Sequence, residues 1–340
     1  MRAVAPYVPG EQPGADRQVV KLNTNENPYP PSARVLAALG AQLDDRLRLY
    51  PDPEARGLRA RASALYGVPA ESIMVGNGSD ELLTLLVRAV VDPGARVAYP
   101  VPTYSLYDTL VALQGGESVP VPFPADWSLP AALADTGAAL TLLCNPNSPS
   151  GTLVPTAAID ALARQVRGVL VVDEAYVDFA DEHALGLVGR RDNVVVLRTL
   201  SKSFSLAGLR IGLAFGHPEL LAGLRTVKDS YNVNRLTLAA AEAALADVED
   251  MRANVARVRA TRGWLTEALR ALGYDVPPSH ANFVLARRAG VDQGPVVRAL
   301  AAAGVLVRHF ATPQLADALR ITVGTDAEID ALLDALRAVP

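Results

Sequence analysis

Between residues 73 and 216, short apolar runs alternate with amphipathic segments, and this alternation restricts the fold more than any other feature of the chain. Runs such as ALTLLC, GVLVVD and NVVVLRTL are apolar at consecutive positions, which is typical of strands that are buried on both faces. Helical patterns separate several of these runs, so helices can cover both faces of a mostly parallel sheet. The pattern predicts an α/β protein whose large domain holds a mostly parallel, seven-stranded sheet between helices.

The segments on either side of this region predict two further parts. Residues 1–30 are rich in Pro, Gly and Asn, and VVKLNTNENPYPP indicates a short strand that runs into turns, so we expect an N-terminal arm outside the core. Residues 31–235 form the predicted large domain. From Leu236 a long helical stretch leads into strands ANFVLARR, VLVRHF and ALRITVG, which indicate a smaller α/β C-terminal domain over residues 236–340.

Charge and composition exclude several classes of function. A formal net charge of -4, without a basic cluster, argues against a nucleic-acid partner. The chain begins without the apolar core of a signal peptide, and no apolar run approaches the roughly 20 residues that span a bilayer, so we expect a cytoplasmic protein with no membrane partner. A single cysteine, Cys144, excludes an intrachain disulfide, and four scattered histidines lack the spacing of metal ligands, so we expect no metal.

Ligands of open α/β sheets bind beyond the carboxyl ends of the strands, and here those ends are polar. The run SIMVG leads into Gly78, Ser79 and Asp80, which open a helix. Backbone N–H groups at a helix start, with glycine allowing close approach, can bind an anion. Taken alone, these residues are explained better as an ordinary helix cap.

The run NVVVLRTL carries Lys202 to its end, in a chain with only three lysines. A desolvated amine has a lowered pKa and becomes a nucleophile toward aldehydes. Ser201 and Arg210 lie near it in sequence and suit a phosphate. The alternative is a solvated surface lysine, which the β-branched run before it disfavours.

The run GVLVVD carries Asp173 to the end of another apolar strand. Burying this carboxylate costs several kcal/mol unless a cation or a strong donor meets it. A protonated ring nitrogen would be such a partner, and a salt bridge to an arginine is the alternative. Together, a nucleophilic amine, a buried acid, Tyr and Asn side chains and an anion site match pyridoxal phosphate.

Motifs along nearly the whole chain resemble those of fold-type-I pyridoxal-phosphate aminotransferases, and among these the histidinol-phosphate aminotransferases. The motifs are PYVPG, KLNTNENPYPPS, YPDP, VGNGSDELL, PVPTYSLY, NPNSPSG, VVDEAYVDF, RTLSKSFSLAGLRIG, SHANFVL, VLVRHF and LRITVGT. The resemblance implies that Lys202 binds the cofactor as a Schiff base and then moves the substrate proton. It implies that Asp173 holds the pyridine nitrogen protonated, that Tyr176 bonds the 3-oxygen and that Tyr104 stacks on the ring.

The resemblance also implies the phosphate contacts and the assembly. Ser79 and Asp80, through backbone amides, would hold the phosphate together with Ser201 and Arg210. Tyr50 of LYPDP would reach the phosphate of a neighbouring subunit, which implies a homodimer with shared active sites.

One motif departs from the family pattern. The family reads Asn-Pro-Thr-Gly, whereas SPSG places Ser148 where the ring-contacting asparagine usually stands. Either Asn147 takes that role or the contact is lost, and we favour Asn147.

Three further residues bear on the substrate. The resemblance implies that Arg320 and Arg308 bind substrate anions and that Tyr7 lies beside the substrate phosphate. It implies transamination between L-glutamate and imidazole-acetol phosphate, giving L-histidinol phosphate and 2-oxoglutarate, in L-histidine biosynthesis. The alternatives are an aromatic amino-acid transaminase, a threonine-phosphate decarboxylase and a non-catalytic cofactor-binding protein. For Arg308, a surface ion pair is also plausible.

Overall fold

The computed structural model describes residues 9–14 and 19–339. Its strands are β1 (Val20–Leu22), β2 (Ile73–Gly76), β3 (Arg96–Val101), β4 (Glu117–Pro122), β5 (Leu140–Cys144), β6 (Val169–Asp173), β7 (Val194–Thr199), β8 (Gly212–Gly216), β9 (Phe283–Arg287), β10 (Val305–His309) and β11 (Ala318–Thr322). Its helices are α1 (Ala33–Gly40), α2 (Arg56–Tyr66), α3 (Ser79–Val90), α4 (Leu106–Gln114), α5 (Thr156–Gln165), α6 (Pro218–Thr226), α7 (Arg235–Leu245), α8 (Val248–Ala271), α9 (Gly294–Ala302) and α10 (Asp326–Ala338). Within these ranges, no helix is both long and apolar enough to cross a bilayer.

The large sheet has seven strands in the order β2-β8-β7-β6-β5-β3-β4, which confirms the predicted fold class. Of the strands in this sheet, β8 alone runs against the others. The carboxyl ends of the six parallel strands therefore meet at one edge. Because β8 is reversed, its first residues and Arg210 just before them lie at that same edge.

The two faces of this sheet are buried against different helices. Successive strand side chains alternate between the faces, so that Val172 packs with α2, α5 and α7, whereas Val171 packs with α3, α4 and α6. Each fully buried valine or leucine contributes about 1.5–3 kcal/mol. Packing on both faces fixes the backbone of the strands, and with it the positions of the residues at their ends.

The second sheet has four strands in the order β1-β10-β11-β9. In it, β1 pairs in parallel with β10, with Val20 opposite Val305, and Leu22 is buried. The sequence assigned this segment to an arm outside the core, whereas the structure makes it the edge of the C-terminal sheet. The difference arises because the partner strand is distant in the chain, and a local pattern contains no signal for such pairing.

The long helical stretch after residue 235 consists of two helices, α7 and α8. Asn234 caps α7 by accepting a hydrogen bond from the backbone N–H of Thr237 at 2.9 Å. Leu238 of α7 packs in the same core as the large sheet, whereas Val258 of α8 packs with the small one. The chain therefore passes from the core of the large sheet to the core of the small sheet between α7 and α8, whereas the sequence placed this boundary at residue 235.

Candidate active site

A cavity of about 200 Å³ lies where the carboxyl edge of the large sheet faces β10 and β11. Most of the residues singled out from the sequence line it. They are Ser79, Asp80, Tyr104, Ser148, Asp173, Tyr176, Ser201, Lys202, Arg210, Arg308 and Arg320. Residues far apart in sequence therefore meet in one place, because each lies within or close to the end of a strand of the same two sheets.

Lys202 lies in the turn after β7, and its amine is buried in this cavity. Its Nζ donates a hydrogen bond to the Thr24 carbonyl at 3.3 Å and lies 5.9 Å from the centre of the Tyr176 ring. Burial, reinforced by the positive charge of Arg320, lowers the pKa of Lys202 to about 8. At pH 7 roughly a tenth of the amine is therefore neutral. A solvated surface lysine, the alternative from sequence, does not describe this side chain.

Asp173 ends β6 and is also buried. Tyr107 donates its phenol proton to Oδ2 of Asp173 at 3.0 Å, and the backbone N–H of Ala175 donates to Oδ1 at 3.3 Å. Burial raises the pKa of Asp173 to about 6. A salt bridge to an arginine was the alternative from sequence, but the buried Arg198 pairs with the neighbouring Glu174 through Nε at 3.0 Å. Among the described residues, no salt bridge is made to Asp173.

Gly78 precedes α3 and sits in the left-handed region at φ +83°. Within the described part of the chain, no side chain caps this helix, which weakens the ordinary-cap explanation preferred from sequence. A Cβ at Gly78 would lie 2.7 Å from Nη2 of Arg210, and a Cβ at Gly212 would lie 2.6 Å from the backbone N of Ser79. Both glycines are therefore needed for strand and guanidinium to approach the helix start.

Ser201 and Arg210 complete this corner of the cavity. The Ser201 hydroxyl is buried and accepts a hydrogen bond from the Thr199 hydroxyl at 2.9 Å. Nη2 of Arg210 lies 3.1 Å from Oδ2 of Asp80, and the Tyr104 hydroxyl donates to Oδ1 of the same carboxylate at 3.2 Å. A helix start, a hydroxyl and a guanidinium together suit a phosphate group.

Arg308 and Arg320 face each other across the antiparallel pair β10 and β11, directly in register. Both guanidinium groups lie over the Phe310 ring, at 5.2 Å and 5.5 Å from its centre. Arg320 donates to the Asn23 carbonyl at 2.9 Å, and Arg308 donates to the Pro9 carbonyl at 3.0 Å. Like charges directly opposite one another destabilise a sheet, and an anion bound at this wall of the cavity would offset that repulsion.

The structure does not bring every predicted residue to the cavity. The Asn147 amide is buried behind the wall, where it accepts from the Thr103 hydroxyl at 2.9 Å and donates to the Ser150 hydroxyl at 2.9 Å. Ser148 lies at the wall instead, and its Oγ accepts from Nη1 of Arg320 at 3.2 Å. Asn147 was the preferred ring contact, and these bonds occupy the amide that such a contact would need.

Two other predicted residues lie elsewhere. Tyr50 is 77% exposed and stacks on Tyr231, with 4.3 Å between ring centres, outside the cavity of its own chain. Tyr7 lies outside the described residues.

Sequence reasoning missed Tyr107 and the segment 23–27. Tyr107 lies in an apolar helix and is indistinguishable there from an ordinary core residue. Asn23, Thr24 and Asn25 line the cavity, yet the sequence marked them only as part of the asparagine-rich motif KLNTNENPYPPS, with no role assigned.

The chain is similar to known aminotransferases over nearly its full length. Residues 17–336 match the family described as aminotransferase class I and II. Histidinol-phosphate aminotransferase 1 of Trichormus variabilis is 47% identical over 338 residues, covering 99% of this chain and 97% of that protein. Histidinol-phosphate aminotransferase of Syntrophotalea carbinolica is 46% identical over 333 residues, covering 98% and 96%. The crystal structure of histidinol-phosphate aminotransferase from Sinorhizobium meliloti, in complex with pyridoxal-5'-phosphate, aligns with a TM-score of 0.88 and 29% identity, covering 95% and 92%.

Proposed function

The chain belongs to the class I and II aminotransferase family, and from this premise we propose that it is a pyridoxal-phosphate-dependent histidinol-phosphate transaminase of L-histidine biosynthesis. It exchanges the amino group between L-glutamate and imidazole-acetol phosphate, giving 2-oxoglutarate and L-histidinol phosphate. The main support for this substrate is the 47% identity, over 99% of the chain, to a protein named histidinol-phosphate aminotransferase 1.

The donor set of the cavity fits pyridoxal phosphate. Lys202 offers a buried amine whose pKa is lowered to about 8 by burial. Asp173 offers a carboxylate at the end of a buried strand, without an arginine partner among the described residues. A Cβ at position 78 would fill the space beside Arg210. Because Gly78 has no Cβ, the start of α3 stays open to a phosphate.

When bound, pyridoxal phosphate supplies an aldehyde that condenses with amines and a ring that withdraws electrons from the amino-bearing carbon. Lys202 Nζ would take the proton from that carbon and deliver it to the former aldehyde carbon, and a pKa near neutrality suits a group that must act as base and acid in turn. The Asp173 carboxylate would hold a proton on the ring nitrogen. Burial raises the pKa of Tyr176 to about 12, so its phenol stays protonated and would donate a hydrogen bond to the 3-oxygen.

Arg308 and Arg320 support the two substrates of a ping-pong reaction. In one half-reaction the pair binds the phosphate of histidinol phosphate, and in the other it binds the carboxylates of glutamate. Guanidinium groups bind both anions with paired hydrogen bonds. The register of the two arginines places both charges at one wall of the cavity.

An exposed apolar surface supports a homodimer. Its members are between 47% and 77% exposed, and they are Leu43, Leu47, Leu49, Tyr50 and Tyr231. Clustered exposed apolar groups of this kind mark association surfaces. Replacing Leu47 by Glu should convert the dimer to monomers, as measured by sedimentation velocity. Leu113→Glu, at a comparably exposed residue of α4, should leave the protein a dimer. A monomeric parent protein would contradict the proposal.

The substrate is tested by the absorbance of the purified protein loaded with pyridoxal phosphate. Histidinol phosphate should convert the bound cofactor to its aminated form rapidly, whereas phenylalanine should not. A preference for phenylalanine would assign the protein to the aromatic transaminases. Release of carbon dioxide without formation of a keto acid would assign it to the decarboxylases.

The catalytic role of Lys202 has a separate test. Replacing Lys202 by Ala should abolish both the absorbance of the covalently bound cofactor and turnover. Retained turnover would refute the mechanism.

A further inference from the structure

Residues 23–25 line the cavity, and the segment 23–27 bonds to groups from both halves of the cavity. The Asn23 carbonyl accepts from Arg320 at 2.9 Å, and the Thr24 carbonyl accepts from Lys202 Nζ at 3.3 Å. The Asn27 amide donates to the backbone carbonyl of Lys202 at 2.9 Å. The segment therefore contacts both Lys202, which carries the buried amine, and Arg320, one of the two arginines proposed to bind substrate anions.

Asn25, in the middle of this segment, has its side-chain orientation fixed by Thr322. Its backbone N–H donates to the Thr322 hydroxyl at 3.0 Å, and that hydroxyl donates to Oδ1 of Asn25 at 3.1 Å. Because Oδ1 is occupied on this side, the amide NH₂ faces the opposite side. Asn25 is buried and has φ +57°, a conformation that Asn tolerates better than most residues.

On that opposite side, Nδ2 of Asn25 lies 3.1 Å from the Tyr176 hydroxyl. An amide NH₂ group can only donate, so the phenol oxygen is the acceptor in this contact. The single phenol proton is then left for another acceptor, and Tyr176 lines the cavity.

We propose that Asn25 is a positioning residue that acts through Tyr176, directing the phenol proton toward an acceptor in the cavity. The inference rests on the proposed function, because the acceptor is the 3-oxygen of pyridoxal phosphate. An aspartate at position 25 has the same shape and tolerates the same backbone conformation, but its carboxylate only accepts hydrogen bonds. In Asn25→Asp the phenol proton therefore turns to residue 25 and away from the cavity.

The test compares binding of pyridoxal phosphate and of 3-deoxypyridoxal 5'-phosphate to the apoprotein. Asn25→Asp should weaken the first by about tenfold, the loss expected for one hydrogen bond, and leave the second unchanged. Tyr176→Phe should do the same, and the double variant should bind no more weakly than Tyr176→Phe alone. Thr322→Val should weaken pyridoxal phosphate selectively, and Thr322→Ser, which keeps the hydroxyl, should restore its binding.

Asn193→Asp is the control for replacing a hydrogen-bonded, half-buried amide by a carboxylate. Nδ2 of Asn193 donates to the carbonyls of Ala163 and Gly168 at 3.0 Å and 3.3 Å, away from the cavity. This variant should leave the ratio of the two affinities unchanged. An equal loss for both ligands in Asn25→Asp, or additive losses in the double variant, would overturn the positioning role.

A measurement without cofactor separates this inference from the proposed function. In the apoprotein labelled with carbon-13 at tyrosine Cζ, the Tyr176 signal is identified by its absence in Tyr176→Phe. Asn25→Asp should move this signal, because the phenol changes from acceptor to donor toward residue 25. An unmoved signal would overturn the inference. A parent protein that fails to bind pyridoxal phosphate would instead overturn the proposed function.

Discussion

Replacing Tyr107 by Phe should raise the pKa of Asp173 and weaken cofactor binding at neutral pH. The substitution removes one hydroxyl, which donates to Oδ2 of Asp173 at 3.0 Å. The remaining backbone donor, the N–H of Ala175, reaches the other carboxylate oxygen at 3.3 Å. Tyr107 is fully buried, so solvent does not replace the lost donor.

The size of the effect follows from the loss of one bond to a charged group. Such a bond contributes about 1.5–3 kcal/mol, and roughly 1.4 kcal/mol corresponds to one pH unit, so the pKa of Asp173 rises by about 1 to 2. In the parent protein burial raises this pKa to about 6. The ionised fraction at pH 7 should therefore fall from about nine-tenths to between about one-half and one-tenth.

Carbon-13 NMR of aspartate-labelled apoprotein measures this pKa, with the Asp173 signal assigned through Asp173→Asn. Titration of pyridoxal phosphate binding against pH gives a second readout, in which the loss of affinity should disappear at high pH, where the carboxyl is ionised again. Tyr99→Phe is the matched control, because Tyr99 is equally buried and its hydroxyl bonds to Asp108 instead. Identical titrations in the two variants, or a lowered pKa in Tyr107→Phe, would show that the Tyr107 hydroxyl does not stabilise the ionised Asp173 carboxylate.

Two further predictions concern the Lys202 amine and the proposed phosphate site beside Gly78 and Arg210. Burial lowers the pKa of Lys202 from 10.5 to about 8, so between these pH values the unfolded chain binds more protons and the free energy of unfolding of the apoprotein rises with pH. Denaturant titrations at pH 8 and 10 should show a rise of about 2 kcal/mol from this group in the parent and not in Lys202→Met. Gly78→Ala should lower the affinity for pyridoxal phosphate by about tenfold or more, because its Cβ would lie 2.7 Å from Nη2 of Arg210. Gly94→Ala, at φ +81° with nothing within 4 Å of the added Cβ, should cost similar stability and leave the affinity unchanged.

The large sheet could be predicted because its strands carry their own signal. A run such as VLVVD is apolar at every position except the last, and this pattern is specific to a strand buried on both faces. The reversal of β8 is also consistent with the sequence, since the twelve residues 200–211 that connect it to β7 are at the lower limit for a crossover to a parallel strand and contain no α-helix.

The features that sequence did not predict depend on partners that are distant in the chain. The pairing of β1 with β10 joins residues near 20 to residues near 305. The choice of α7 to pack on the large sheet depends on α1 and α2, which it contacts. Helical periodicity shows that α7 has an apolar face, but it cannot show which core that face covers.

The residues of the candidate site differ in the same way in how well the sequence predicts them. Lys202, Asp173 and Arg210 could be found because each stands at the end of a strand whose type and direction the local sequence predicts. Tyr107 and Asn25 lie in the motifs PVPTYSLY and KLNTNENPYPPS, but each acts through another side chain, and the sequence around it does not show which one. Asn25 in particular lies in a segment whose position is set by β1, which was the least predictable element.

The placement of segment 23–27 has a consequence for how the two halves of the cavity are related. The edge of the large sheet supplies Lys202, Asp173 and Arg210. Strands β10 and β11 supply Arg308 and Arg320. Thr322 and Arg320 are alternate residues of β11 and so lie on the same face of that strand. Because Thr322 orients Asn25 and Asn25 bonds to Tyr176, a shift of β11 that moves Arg320 also moves a hydrogen bond on the side of the cofactor. Substitutions in this short segment should therefore alter cofactor affinity and substrate KM together, whereas Arg308→Ala, on β10, should change mainly KM.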